Sequence, residues 1–505
     1  MAMVFASSAH AVDWRFQPTL SASATYTDNA NQSENNPEDA LIFTATPGFT
    51  LHSEGLRRVQ ATLQYGMTGV ARFGQNESTD LNHNLNALGK AELIEDFLFI
   101  DGSARISQEL ISLSGSIADA SINDSNRATV GTYSISPYIQ KRLGTFANAR
   151  ARYSTGGAIF EDNAAADSAS NAFTASLTSG TRFDNLSWGL NYSIRKTENR
   201  NAATAVSNAD TTLESASATV GYALTRKFRV FGTVGEEWND YLSTTGTDGS
   251  SYSVGFGWSP TRRTSIEASV GERYFGRTYS FAGSHRTRLS RWTVSYSEDV
   301  SDITQQFLEQ ANRVFWVCNG ILIETPDLNP PSGQTSCSVG PVTAGELALL
   351  FNSLGVSVAD LVAANLLNVS IANGIYIIKS FNAGVSWDIG RLGFGLSAQD
   401  TKRLYQVLGD AQDHVQSVTG SVSYRLSPKT TANSSLSLIR NSLDSAVTGG
   451  AARKDDILNL SVGLSHRFAE DLNGALTFRH TQRDSNLANS DYEENSLTAS
   501  VNMRF

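Results

Sequence analysis

The sequence predicts an all-β protein, a transmembrane antiparallel β-barrel of about 22 strands with short turns on one rim, long loops on the other and one partly helical insertion. Three observations carry that expectation. Apolar and polar residues alternate with a period of two in segment after segment along the chain. The connections between those segments alternate between short turns and longer polar stretches. Only 17% of the 505 residues are charged, yet no uninterrupted apolar run reaches the roughly 20 residues that a membrane-spanning helix needs. A closed barrel is the other structure that satisfies every backbone group in lipid.

The alternation begins at the first strand, where Trp14, Phe16, Leu20, Ala22, Ala24 and Tyr26 oppose Arg15, Gln17, Thr19, Ser21, Ser23, Thr25 and Thr27. It returns in "LSWGLNYSIR" and in "ILNLSVGLSHRF", and it ends with Leu497, Ala499, Val501, Met503 and Phe505 against Thr498, Ser500, Asn502 and Arg504. Short connections include 224–228, 259–265, 286–291, 388–393, 427–431 and 469–473, separated by long ones such as "DNANQSENNPED" and "TQRDSNLANSDYEEN". With both ends on the short-turn rim the strand count must be even. The stretch "TSIEASVGERYFGRTYSFAGSHRTRLSRWTVSYSED" therefore reads as three strands, with a tight outer turn near Phe275-Gly276 and an inner turn at Arg288 to Arg291. Residues 12–301 hold strands 1 to about 15, and 374–505 hold strands about 16 to 22. A soluble sandwich or propeller also alternates, but the apolar face on nearly every segment and the aromatic residues near segment ends favour the barrel.

Residues 1–11, "MAMVFASSAHA", read as a residual signal peptide. Ala9-His10-Ala11 fits the small-x-small cleavage pattern, with Val12 opening the mature chain, although no positively charged leader precedes it. Export suits the cysteines, of which there are two, Cys318 and Cys337. A loop disulfide is the natural reading in an oxidising compartment. Two free thiols are the alternative, because closeness in sequence does not bring two Cα atoms within bonding distance.

Between about 302 and 373 the alternation stops. This segment holds both cysteines, Pro326, Pro330, Pro331 and Pro341, and two capping boxes, Thr343 with Glu346 and Ser357 with Asp360, each before an apolar helical run. Parity places it on the long-loop rim. Its length of about 70 residues is far beyond an ordinary loop. The segment either folds inward as a plug or forms a cap outside the barrel.

No catalytic constellation, metal site or cofactor motif is present in the sequence. The seven histidines are scattered, and neither HExxH, GxSxG nor a phosphate-cradling loop occurs, so the expected class is not an enzyme. A balance of 39 basic and 49 acidic residues argues against nucleic acid. Taking each apolar face as lipid-facing turns Arg72, Arg105, Arg150, Arg152, Arg195, Arg273, Arg403 and Arg479 into the lumen, with Asp101, Glu109 and Glu267. Guanidinium forks match carboxylates and sulfates, so these arginines are candidate contacts for anions or an anionic glycan. Pairing with lumen carboxylates to hold the barrel's shape is the alternative for each of them. Acidic residues such as Asp413, Asp455 and Glu494 fall beside long loops, where solubility is their default role.

The ending "LTASVNMRF" resembles the last strand of outer-membrane barrels. That resemblance implies that Val501, Met503 and Phe505 form the signal read by the barrel-assembly machinery, in a membrane of lipid and lipopolysaccharide. The strings "YSISPYIQKRLG", "FGWSPTRRTSIEASVGERYFG" and "SHRTRLSRWTVSYSEDV", followed by the insertion, resemble the PEP-CTERM system-associated outer-membrane protein family of exopolysaccharide gene clusters. The family implies a part in exopolysaccharide assembly or export, with the polymer and periplasmic export proteins as partners, and carries no site residues over. The expected function is an outer-membrane pore for exopolysaccharide export. A general diffusion porin and a structural or adhesive surface protein are the alternatives.

Overall fold

The computed structural model describes residues 13–505 apart from 55–57, 75–76, 113–114, 116–120, 162–163, 201–208, 244–245, 313, 319–320, 326–373, 407–410 and 449, with 314–325 described by backbone alone. The first strands are β1 (Asp13–Thr27), β2 (Ala40–Glu54), β3 (Val59–Gly74), β4 (Ser78–Ile94), β5 (Leu98–Leu110), β6 (Arg127–Leu143), β7 (Ala147–Phe160) and β8 (Asp167–Ser179). They are followed by β9 (Leu186–Arg200), β10 (Thr211–Thr225), β11 (Phe228–Glu237), β12 (Gly249–Thr261), β13 (Thr264–Arg273), β14 (Gly276–Arg286) and β15 (Ser290–Asp302). Helix α1 (Ile303–Ala311) and a separate hairpin of β16 (Val314–Cys318) and β17 (Ile321–Thr325) come next. The wall resumes with β18 (Ile375–Ile389), β19 (Leu392–Tyr405), β20 (Gln412–Ser427) and β21 (Thr430–Leu443). A short helix α2 (Ser445–Thr448) precedes β22 (Arg453–Arg467), β23 (Leu472–Ser485) and β24 (Tyr492–Arg504).

Twenty-two of these strands form one antiparallel sheet. It closes where β1 meets β24, with Thr19 opposite Arg504 and Thr27 opposite Ser496. The Phe505 N–H continues the seam by donating to the Pro18 carbonyl at 3.0 Å. Closure gives each wall strand a neighbour on both sides, so the sheet presents no open edge strand among the described residues. The three-strand reading of 264–302 holds: β13 and β14 are joined by Tyr274 and Phe275, and Gly276 takes a φ of +114° that a side chain would resist.

Burial is inverted relative to a soluble protein. Phe16 is 60% exposed while Thr27 is fully buried, because the apolar face of each strand looks outward to lipid and the polar face looks into the lumen. Aromatic rings collect at the short-turn rim. Trp188 meets Phe146 and Phe183, Trp387 meets Trp292 and Phe394, and His466 lies against Phe468. Such amphipathic rings suit the membrane–water boundary.

On the long-loop rim several connections turn inward. Helix α1 leaves β15 directly: the Asp302 carboxylate caps it by accepting the Gln305 N–H at 2.7 Å. Ile303, Thr304, Phe307, Gln310 and Ala311 form its buried stripe. Ile303 and Phe307 pack on Ala128, Val130, Ala158, Phe160 and Ala165, which belong to β6, β7 and the connection after β7. Burying a phenylalanine contributes on the order of 1.5–3 kcal/mol, so this contact anchors the helix. The connection after β5 likewise seats Ile122 on Ala40, Ile42 and Val70, and α2 brings Val447 against Tyr376 and Tyr405.

The helices expected after Thr343 and Ser357, residues 1–11 and Cys337 lie outside the described residues, as does the side chain of Cys318. Helix α1 comes earlier than either expected one.

Candidate functional site: the lumen

The lumen wall is built from serine and threonine at inward positions, paired across neighbouring strands. Ser23 meets Thr44 at 2.7 Å, Thr25 meets Thr498 at 2.9 Å and Thr46 meets Thr68 at 2.9 Å. Ser103 meets Ser134 at 2.8 Å, Ser193 meets Ser215 at 2.9 Å and Thr219 meets Thr233 at 2.9 Å. Period-two strands in register bring like residues opposite each other, and cross-strand hydroxyl pairs of this kind stabilise the sheet modestly. Each pair also keeps chemical capacity. When one hydroxyl donates to another, the acceptor's own O–H remains free to point at a ligand or water.

The eight sequence-chosen arginines lie on seven strands around the wall and do not gather in one place. Most are held by carboxylates. Arg72 pairs with Asp80 and, at 3.4 Å, with Asp124, while its Nε donates to the Ser121 carbonyl at 2.8 Å. Arg105 meets Glu109 at 2.9 Å. Arg273 clasps both oxygens of Glu237 at 2.7 and 2.8 Å and adds Asp299 at 2.9 Å. Arg403 forms a buried pair with Asp413 at 2.7 Å, and the Tyr405 hydroxyl donates to the same carboxylate at 2.8 Å.

Arg150 and Arg152 both lie over the Tyr138 ring, at 4.6 and 4.4 Å from its centroid, and Arg152 also pairs with Asp101. Arg195 reaches Gln305 on α1. Arg479 stands between Ser461 and Ser496 on the adjacent strands and makes no hydrogen bond or ion pair among the described residues.

The sequence reading missed two further lumen groups. Arg229 pairs with Glu267 across β11 to β13. Asp455 receives Arg453 at 2.8 Å and Arg483 at 2.6 Å. The parity that selected the other arginines also places Arg229, Arg453 and Arg483 inward, so the signal was present. The acidic residues beside long loops need correcting too. Asp413, Asp455 and Glu494 are 2%, 0% and 3% exposed, so they bind inward groups rather than face the solvent.

Helix α1 ties the wall together from within. Besides the Phe307 contact, Thr304 Oγ1 donates to Ser168 Oγ at 2.7 Å. Its Glu309 carboxyl is pushed up from the usual range, first by desolvation and then by Asp299 and Asp302, against the lowering effects of Gln305 and Arg195.

Along the seam, β1 to β3 and β22 to β24 enclose a cavity of about 280 Å³ with Arg479 in its lining and Ser121 and Ile122 over it. A second, of about 560 Å³, opens at the long-loop rim among Asp28, Glu34, Asp484, Asp491 and Glu493. Val501, Met503 and Phe505 face outward, Phe505 being 63% exposed.

No family model matches the chain, and no curated protein matches it. Solved structures do. The FrpB iron transporter from Neisseria meningitidis aligns over 97% of this chain and 82% of its own, with a TM-score of 0.51 at 11% identity. Its apoprotein form aligns over 97% and 81% with a TM-score of 0.51 at 10% identity. By fold the chain is a closed 22-stranded β-barrel of the kind these transporters have. The siderophore receptor PirA from Pseudomonas aeruginosa also matches, over 97% and 80% of the two chains, with a TM-score of 0.48 at 8% identity. At such identities the likeness is one of architecture, and these neighbours of the barrel are transporters and receptors rather than enzymes.

Proposed function

We propose that this outer-membrane barrel serves export of an exopolysaccharide, as a conduit kept narrow at its outer mouth by inward-folded connections. The observation that supports the reading best is the wall itself. A barrel needs only polar inward residues to hold water, whereas this one repeats cross-strand hydroxyl pairs around much of its circumference. Unused O–H groups and lone pairs at each pair can exchange hydrogen bonds with a polyhydroxyl chain as it slides, since every step offers equivalent partners. Sites that bind equally and weakly along a path allow passage rather than capture.

The resemblance to the PEP-CTERM system-associated family supports the same substrate class. Partners under this reading are the barrel-assembly machinery, which would read Val501, Met503 and Phe505, periplasmic export proteins at the short-turn rim, and lipopolysaccharide at the outer one. The lumen arginines act unequally. Those in contact with carboxylates shape the wall, while Arg150 and Arg479, with no contact ion pair among the described residues, present their positive charge to what passes.

The test is secretion. Cells lacking this barrel should retain polymer in the periplasm, and a plasmid copy should restore release. Unchanged secretion, together with free passage of unrelated small solutes through the purified protein, would point to a general diffusion porin. Unchanged secretion with no conductance would point to a surface protein.

A further inference from the structure

We propose that the seam cavity around Arg479 is a binding site for one carboxylated sugar unit, with Arg479 holding the carboxylate. The proposal rests on the reading of the barrel as a glycan conduit and names the chemistry of what passes. Arg479 is flanked on both adjacent strands by small residues, Ser461 and Ser496, so its fork stands clear of the wall. Glu494 on β24 interacts with Arg479 through space alone, its two oxygens accepting from the Thr27 hydroxyl at 3.2 Å and the Gln32 amide at 2.9 Å. The guanidinium thus keeps its donors for an incoming group, and its planar geometry matches a carboxylate bidentately.

The rest of the cavity suits the remainder of a sugar. The pairs Ser23–Thr44, Thr25–Thr498 and Thr46–Thr68 line it and each keeps one O–H uncommitted. Ile122 supplies an apolar surface above, and its position is fixed by its packing on Ile42 and Val70 and by the Arg72 bond to the Ser121 carbonyl. At about 280 Å³ the cavity lies near the small end of ligand-site volumes, which run from about 300 to 1,000 Å³. One ring fits that description better than a long stretch of polymer.

The experiment is calorimetric titration of the refolded full-length barrel with a galacturonate trimer and with a neutral galactose trimer, alongside Arg479→Gln and Arg479→Lys, each checked for folding by heat-modifiable migration. The acidic trimer should bind at least tenfold more tightly than the neutral one. Arg479→Gln should lose that preference, and Arg479→Lys, which keeps charge without the fork, should retain part of it. Equal binding of the two trimers, no binding of either, or an unaltered preference in Arg479→Gln would overturn the site. Secretion by cells carrying Arg479→Gln or no barrel at all is scored separately. Normal secretion without the barrel removes the conduit reading while leaving the calorimetric result standing, and the reverse pattern removes the site alone.

Discussion

Phe307 on α1 meets Phe160 on β7 edge-on, with ring centroids 5.7 Å apart at 64°. These residues are 147 positions apart in sequence, and their contact makes the start of the insertion part of the lumen rather than of the outer surface. Removing a buried phenylalanine costs roughly 3–5 kcal/mol where the surroundings cannot collapse. Phe307→Ala should therefore release α1, raise the open fraction of single channels and lower the barrel's unfolding midpoint by no more than the lost docking of α1 contributes. Recording channels and urea unfolding on the same preparation checks both halves.

The Arg403–Asp413 pair makes a prediction about stability instead. Both side chains are nearly sealed, at 6% and 3% exposure, so removing one leaves the other charge buried and alone. Asp413→Ala should destabilise the barrel by about 3–5 kcal/mol, read as a lower temperature for the heat-modifiable shift on gels. An unshifted temperature would mean that water reaches Arg403 in the variant.

Selectivity should depend on which arginine is changed. Arg105 is neutralised by Glu109 at 2.9 Å, whereas Arg479 and Arg150 have no ion pair among the described residues. Replacing Arg479 and Arg150 with glutamine should lower the anion preference in a reversal potential measured across a salt gradient. The Arg105→Gln change leaves a carboxylate behind and should shift the potential in the same direction only with its partner present. The double change Arg105→Gln, Glu109→Gln should leave it near the starting value.

Much of this was legible in the sequence because a barrel wall encodes its faces in single-residue parity. Trp14, Leu186 and Val501 could be assigned outward, and Arg72 and Arg479 inward, without knowing any partner strand. The tight turn at Tyr274 and Phe275 was readable because Gly276 follows it. Ion pairs were not readable in the same way. Asp413 opposes Arg403 only through the β19–β20 register, which neither residue's sequence neighbours reveal. Helix α1 escaped because it is nine residues long and follows the last residue of β15 without a break. Asp302 followed by Ile303, Phe307 and Ala311 at helical spacing was the signal that would have found it.

The proposed assembly role of Phe505 predicts a variant in which folding and assembly come apart. Its backbone closes the seam against Pro18, but its ring is 63% exposed to the outside and adds little to the wall. Phe505→Ala should refold in detergent with an unaltered unfolding midpoint, yet yield several-fold less assembled barrel in cells. Pulse-labelled membranes measure the second quantity. Equal losses in both settings would make Phe505 a structural residue and remove the proposed assembly role.

The most direct test of the account is planar-bilayer conductance of the refolded barrel beside a variant lacking 305–370. If connections folded into the lumen keep the mouth narrow, the intact protein should show small or rare openings and the deletion large, steady ones. Equal conductance in two preparations that both show heat-modifiable folding would contradict the claim that this segment restricts the pore.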